Sequence, residues 1–391
     1  MSVHITARSK SRIDLEKIKK KKINIAIFGH GNVGSILIDQ IIASQETIYK
    51  RRDFDLTIFS VANSTSVLLN SEGVSATWKK DKLTNGIPYS ISQIITFAKR
   101  NSLKNLIAID NTASTQFIQN YEELIENGFH LVSSNKVGNT QSLSFYRNLR
   151  EVLQKNNKEY LYETNVGAGL PLIDTIKLLH LSGENITRIK GVFSGSLSYI
   201  FNHFSSVNES QEITIGEKRK SFSTVVKDAI QKGFTEPDPR EDLCGNDVGR
   251  KLLILARELD LHCEFEEVSI QNLIPKSLRK ITKEAFLTRL NELDVSFHIK
   301  RRSLSKGQVL RYVGDLHGDL SKEKGGILDV KLISVPKNSM LGQLKGSDSL
   351  FEIYTESYGD HPIIIQGAGA GATVTARGVF GDILRLSSVI N

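Results

Sequence analysis

The residues of this chain whose types and spacing can do chemistry fall into four groups. The first is Gly29-His30-Gly31-Asn32-Val33-Gly34, a GxGxxG between an apolar run and an amphipathic stretch. Glycines at that spacing allow a tight turn and close backbone approach, so a pyrophosphate can rest on the following helix N-terminus. A bare turn without ligand is the plainer alternative. The second is Lys136, after the apolar run HLVSSN, hence at a strand's carboxyl end, where open α/β sheets bind ligands. The third is TEPDPRED, where Glu236, Asp238, Glu241 and Asp242 crowd four carboxylates into a stretch stiffened by Pro237 and Pro239. The fourth is Asp247 and Lys251, one turn apart on a helix face. On a surface that pair is a salt bridge. In a cleft, a lysine among carboxylates can donate or accept the proton of a carbonyl/alcohol interconversion.

These groups need a scaffold, and the hydropathy pattern supplies one. INIAIF (23–28) is a continuous β-branched run, as a strand buried on both faces requires. Apolar residues at 36, 37, 38, 41 and 42 trace a helix face after the glycine turn. Strands are predicted at 55–63, 105–112 and 130–135, with a helix before Gly128 and another near 140–157. Alternation of this kind is the mark of a doubly wound parallel sheet, a Rossmann-type α/β fold. The second strand ends Val61-Ala62-Asn63-Ser64-Thr65, without the acid that would grip a ribose hydroxyl. That tilts the cofactor toward NADP, although neither Arg nor Lys stands there to hold a phosphate. From residue 159 the pattern changes to an α+β domain. A strand and helix near 186–204, a helix at 223–233, an amphipathic helix over 247–261 and strand-like alternation across 285–360 are expected there. The tail from 362 returns to a Gly-rich strand–turn–helix. The expected division is an arm, 1–22, a dinucleotide-binding domain, 23–158 plus 362–391, and a catalytic and dimerisation domain, 159–361.

With 391 residues, 39% hydrophobic and 24% charged, the chain has the composition of a globular protein of two or three domains. No apolar window of about 18 residues suggests a membrane span, and the basic N-terminus is not a secretory signal. The net charge is +8, but residues 1–22 hold eight Lys/Arg against Asp14 and Glu16, leaving the body nearly neutral. A flexible basic arm accounts for the charge, and nucleic-acid binding is not expected. Cys244 and Cys263 form no CxxC and no disulfide framework, which fits a reducing, cytoplasmic setting.

FGHGNVG, VANS, DNTAS, SSNK, YETNVGAGLP, GVFSGSLSYIFN, GFTEPDPREDL, NDVGRKLLILARE and GAGAGATVTARGVFGD stand in the order seen in homoserine dehydrogenases. The chain resembles that family over residues 23–388, especially the dehydrogenase half of bifunctional aspartokinase–homoserine dehydrogenases, with the arm where a kinase linker would join. The resemblance implies NAD(P)-dependent interconversion of L-aspartate 4-semialdehyde and L-homoserine, in threonine and methionine biosynthesis. It implies catalytic roles for Lys136, Lys251 and Asp247, with Lys136 also near the cofactor. Glu236, Asp242 and Ser196 would bind substrate, Glu236 facing its ammonium. Thr112, Gly371 and Thr375 would join Gly29, Gly31, Asn32, Val33 and Gly34 at the nicotinamide cofactor. Glu163 and the carbonyls of Val166, Ala168 and Leu170 would hold a sodium- or potassium-type cation. A homodimer formed through the 285–360 sheet is expected. The chain departs from the family in Glu241, commonly Asp, and in Val137 and Thr65, often basic; NADP(H) preferred with NAD(H) usable is the resulting expectation. Two other readings compete. An aspartate-semialdehyde dehydrogenase or similar NADP-linked aldehyde oxidoreductase would need a cysteine nucleophile, and a non-catalytic NADPH-binding regulator would leave the lysines and acids unused.

Overall fold

A computed structural model describes residues 20–205 and 220–390. The basic arm up to residue 19 and most of the polar excursion at 207–221 lie outside the described residues.

Seven strands form the first sheet: β1 (Lys21–Phe28), β2 (Phe54–Ala62), β3 (Ser66–Leu69), β4 (Ile87–Pro88), β5 (Leu106–Asp110), β6 (Phe129–Ser133) and β7 (Tyr160–Leu161). Their order is β4-β3-β2-β1-β5-β6-β7. The five from β2 to β7 through β1 run parallel, and β3 and β4 add an antiparallel hairpin at one edge. The chain leaves β1 toward β2 on one side and reaches β5 on the other, so a crevice opens between the carboxyl ends of β1 and β5. Ile23, Ile25 and Ile27 are buried against Leu37, Ile38 and Ile41 of the helix Asn32–Arg52, and their neighbours Ala26 and Phe28 against the opposite layer. That two-sided burial is why β1 reads as an unbroken apolar run.

The second sheet has six strands: β8 (Ile186–Val192), β9 (Ser269–Ile270), β10 (Gln308–Gly318), β11 (Gly326–Pro336), β12 (Ser349–Thr355) and β13 (Ile363–Gly367), in the order β13-β12-β8-β10-β11-β9. It is antiparallel apart from the short β9–β11 pairing. The helices Gly195–Ser205 and Asn246–Arg257 pack on β10.

Two expectations change. Residues 362–391 do not all belong with the first domain, because β13 pairs with β12 through five residues of the second sheet. The helix Ala372–Val389 alone crosses back, laying Val379, Ile383 and Leu386 into the core beneath the helix Asn32–Arg52. Residues 285–302, expected as strand-like, are helical at Lys283–Thr288 and Leu293–Arg302. Phe286, Leu293 and Phe297 are buried there at spacings of seven and four, a helical interval that mimics alternation only locally. No helix among the described residues is long and apolar enough to cross a membrane.

Candidate active site

The GxGxxG turn joins β1 to its helix as expected. Gly29 holds φ at 86°, and a Cβ there would meet the Asn111 backbone at 2.9 Å. A Cβ on Gly34 would lie 2.0 Å from the Gly29 carbonyl oxygen, so helix and turn touch backbone to backbone. Gly31, by contrast, faces open space, so a side chain there would intrude only on a ligand. Beside the turn, a cavity of about 640 Å3 lies across the ends of β1, β2 and β5, lined by Asn63, Ser64, Tyr89, Asn111 and Thr112 among others. His30 Nε2, the Tyr89 hydroxyl and Asn111 Nδ2 are buried at it without hydrogen-bond partners among the described residues. A polar cleft with three orphaned groups fits a dinucleotide that would satisfy them.

The loops beyond β5 and β6 are tied together by a residue that sequence reasoning missed. Asp110 is buried at the end of β5 and accepts from the Thr112 backbone N–H at 2.8 Å, the Tyr121 hydroxyl at 2.7 Å and Asn135 Nδ2 at 3.0 Å. Burial raises its carboxyl, and those hydrogen bonds oppose the rise. Asp110 thereby holds both Thr112 and the residue preceding Lys136.

Lys136 starts the short helix Val137–Thr140, and its ammonium lies 3.5 Å from Asp247. The other oxygen of that carboxylate is 2.7 Å from Lys251. Lys251 Nζ also donates to the Phe193 carbonyl at 2.9 Å, and its side chain is 11% exposed. One carboxylate from the second domain therefore carries two ammonium groups, one from each domain. The surrounding protein alone would raise the Asp247 carboxyl; Lys251 and Lys136 outweigh it and hold the group well below the usual carboxylate range.

Asp242 belongs to the acidic loop that precedes the helix Asn246–Arg257. It accepts from Ser196 Oγ at 2.6 Å and from the Glu236 backbone N–H at 2.9 Å, and burial raises its carboxyl. Ser196 sits in the first turn of the helix Gly195–Ser205. Asp242 is thus committed to fixing the acidic loop. Glu236 is exposed, and its carboxylate makes no hydrogen bond or ion pair among the described residues. Asp238 braces Arg240 at 2.6 Å. Gly371, at φ 122°, precedes the helix Ala372–Val389 that bears Thr375. The preceding Ala370 packs against Gly195, beside Ser196, and Gln40 of the glycine-turn helix reaches the Thr373 carbonyl at 3.3 Å. The Gly-rich tail therefore runs from the substrate side to the cofactor side.

A buried cation near the carboxyl end of β2 was also missed. Lys82, in the helix Trp78–Asn85, is buried and donates to the Ser66 carbonyl at 3.1 Å and hydroxyl at 2.5 Å. Burial, then the charge of Lys82, holds the His30 imidazole below its ordinary range. The available signal was Lys82 four residues after Trp78, on the one face of that helix that is buried.

In the 163–170 loop, Gly167 and Ala168 hold φ at 81° and 56°. A non-glycine residue held there costs about 1 kcal/mol. Both oxygens of the Glu163 carboxylate are engaged by the first amides of the helix Leu172–Leu181, Ile173 at 2.7 Å and Asp174 at 2.9 Å. The Leu170 carbonyl accepts from the Leu172 backbone N–H at 2.9 Å, and with the carbonyls of Val166 and Ala168 it is the kind of oxygen a hard cation takes. No group of three or more His, Cys, Asp or Glu suited to a metal lies among the described residues.

The thiols suit no nucleophile. Burial raises both, Cys244 leans on the Glu241 carbonyl at 3.2 Å, and His262 pairs with Glu323 and Arg147 instead of Cys263.

Residues 29–163 match the family model described as homoserine dehydrogenase, NAD binding domain, and residues 171–384 the model described as homoserine dehydrogenase. The bifunctional aspartokinase/homoserine dehydrogenase 1 of Zea mays is 36% identical over 95% of this chain, which spans 39% of that protein. The homoserine dehydrogenase of Schizosaccharomyces pombe is 33% identical over 95% of this chain and 97% of its own length. A Candida auris protein solved with unknown function superposes with a TM-score of 0.82 at 31% identity, over 95% of this chain and 99% of that one. Glycine turn, two-domain cleft and full-length similarity agree, and the chain belongs to the homoserine dehydrogenase family.

Proposed function

We propose that the chain catalyses the NAD(P)-linked, reversible reduction of L-aspartate 4-semialdehyde to L-homoserine, a step toward threonine and methionine. The observation that carries this reading is the Lys136–Asp247–Lys251 cluster, two ammonium groups on one carboxylate beside the dinucleotide cleft. When bound, the nicotinamide supplies the hydride. Lys251 holds the proton destined for the developing alkoxide, and its charge favours that oxygen. Asp247 keeps the ammonium aimed. Lys136 polarises the carbonyl from the sheet side or shares the proton transfer. Glu236, whose carboxylate has no partner among the described residues, binds the substrate ammonium, while Asp242 and Ser196 keep its loop in place. A thiol-dependent aldehyde oxidation is disfavoured by two raised thiols. A cofactor-binding regulator has no use for two lysines paired on one carboxylate.

NADPH is the preferred cofactor in this reading, with NADH usable. The absence of an acid after β2 supports it, and Lys82 near Ser66 brings a positive charge to that end of the cleft. A sodium- or potassium-type ion held by the carbonyls of Val166, Ala168 and Leu170 would order their loop; the consecutive positive φ angles of Gly167 and Ala168 support that reading. Homodimerisation would use the face of the second sheet turned from its helices. That face offers Ile327, Ile333 and Ile364 beside the pairs Arg188–Asp315 and Lys331–Asp329. The free thiols suit a cytoplasmic enzyme. Formation of NADPH from L-homoserine and NADP tests the activity; NADP reduction seen only with L-aspartate 4-semialdehyde and phosphate would favour the competing dehydrogenase.

A further inference from the structure

We infer that Arg257 is a positioning residue for the two lysines, acting on the turn that carries Lys136. The inference rests on the roles proposed for Lys136 and Lys251. Lys136 comes from the first sheet and Asp247–Lys251 from the second domain, so the gap between the ammonium groups depends on how two units meet. At the reacting end the link is a partly exposed ion pair of 3.5 Å, and such a pair stabilises little alone. The alignment has to be fixed elsewhere.

Arg257 ends the helix that begins with Asn246, about 15 Å from Asp247 at 1.5 Å per residue. It touches no reacting atom. Its side chain is fully buried, and its guanidinium forks into the segment after Lys136: Nη1 donates to the carbonyls of Asn139 at 2.9 Å and Gln141 at 2.8 Å. Nη2 donates to the Cys263 carbonyl at 3.1 Å and to Glu264 at 3.3 Å, and the other oxygen of Glu264 accepts from the Leu143 backbone N–H at 2.8 Å. Asn139 is in turn fixed by Asn165 of the 163–170 loop at 2.9 Å and by Arg150 of the first domain at 2.8 Å. The helix bearing Asp247 and Lys251 is therefore tied to the Lys136 turn at both ends. The buried end is the stiff one, because a guanidinium bridging two carbonyls fixes direction as well as distance.

The test is a double-mutant cycle. Arg257→Lys keeps the charge and removes the fork. It should lower kcat about tenfold to hundredfold, the scale of an ångström-sized misplacement, with KM for L-homoserine and Kd for NADPH within about threefold of wild type. In that background Lys136→Ala should add less than about tenfold further loss, because coupled positions are not additive. Fully additive losses, or a kcat of Arg257→Lys within about threefold of wild type, overturn the inference. Should Arg257→Lys fail to fold, Glu264→Gln replaces it; a several-fold loss in kcat at unchanged KM supports the inference and an unchanged kcat overturns it. If Lys136→Ala alone leaves kcat intact, the functional reading fails; if it lowers kcat and the cycle is additive, only this inference fails.

Discussion

An ammonium that must release a proton to an alkoxide has to be shielded from bulk water yet not locked by several counter-charges. Lys251 meets both demands, with one carboxylate, one carbonyl and little exposure. Lys251→Ala and Lys136→Ala should each cut kcat by about two to four orders of magnitude, the usual range for acid–base groups, and NADPH should still bind Lys251→Ala, whose site lies outside the glycine turn. Retention of more than about a tenth of wild-type kcat would make the Lys251–Asp247 pair a mere salt bridge. Lys82→Ala should lower kcat/KM with NADPH by about tenfold, the loss of one charge-assisted contact, and leave kcat/KM with NADH unchanged; equal losses with both cofactors would remove Lys82 from phosphate recognition. At this scale the sequence is legible where chemistry is local. Asp247 and Lys251 are one turn apart on one helix, so their pairing follows from spacing. That Lys136 shares the same carboxylate depends on how a strand of one domain meets a helix of the other, and that Asp110 holds Thr112 and Asn135 together depends on the pairing of β5 with β6.

Elements were legible where burial imposes a simple period, as in β1 and the helix Asn246–Arg257. The edge hairpin β3–β4 was not, because four- and two-residue strands carry too little pattern to register. Nor could the tail reveal that β13 belongs to one sheet and its following helix to the other domain. The 163–170 loop and the helix Leu172–Leu181 make an element-scale prediction. Glu163 is pushed up to about 7, by burial first, opposed by the Ile173 amide and helped by Asp382, itself raised by burial to about 7. The folded state thus keeps protons that unfolded carboxyls release near pH 4. Stability from these groups is full below pH 4 and is lost as pH rises toward about 7. Glu163→Gln should therefore gain stability relative to wild type between pH 5 and pH 8, on the order of 1–3 kcal/mol by thermal melts at each pH; a constant difference would contradict it. Replacing sodium and potassium by a bulky organic cation should lower activity if the loop carbonyls hold an ion, and unchanged rates would count against that site.

Seen whole, the molecule is two sheets joined where Lys136 of the first domain meets Asp247 of the second. The first sheet brings the glycine turn and Lys136; the second domain brings Ser196, the acidic loop, Asp247 and Lys251. The change in pattern near residue 159 suggested a second α+β unit, yet β7 at Tyr160–Leu161 still pairs in the first sheet, and the return path of the tail was not readable either. The central claim is that this joint cleft moves hydride and proton to one substrate. The most direct measurement follows NADPH consumption by the purified chain on adding L-aspartate 4-semialdehyde, with L-homoserine identified as product. Stoichiometric loss of NADPH with formation of L-homoserine, abolished in Lys251→Ala, is the predicted result. NADPH that binds but is not consumed, or consumption that yields no L-homoserine, would contradict the account.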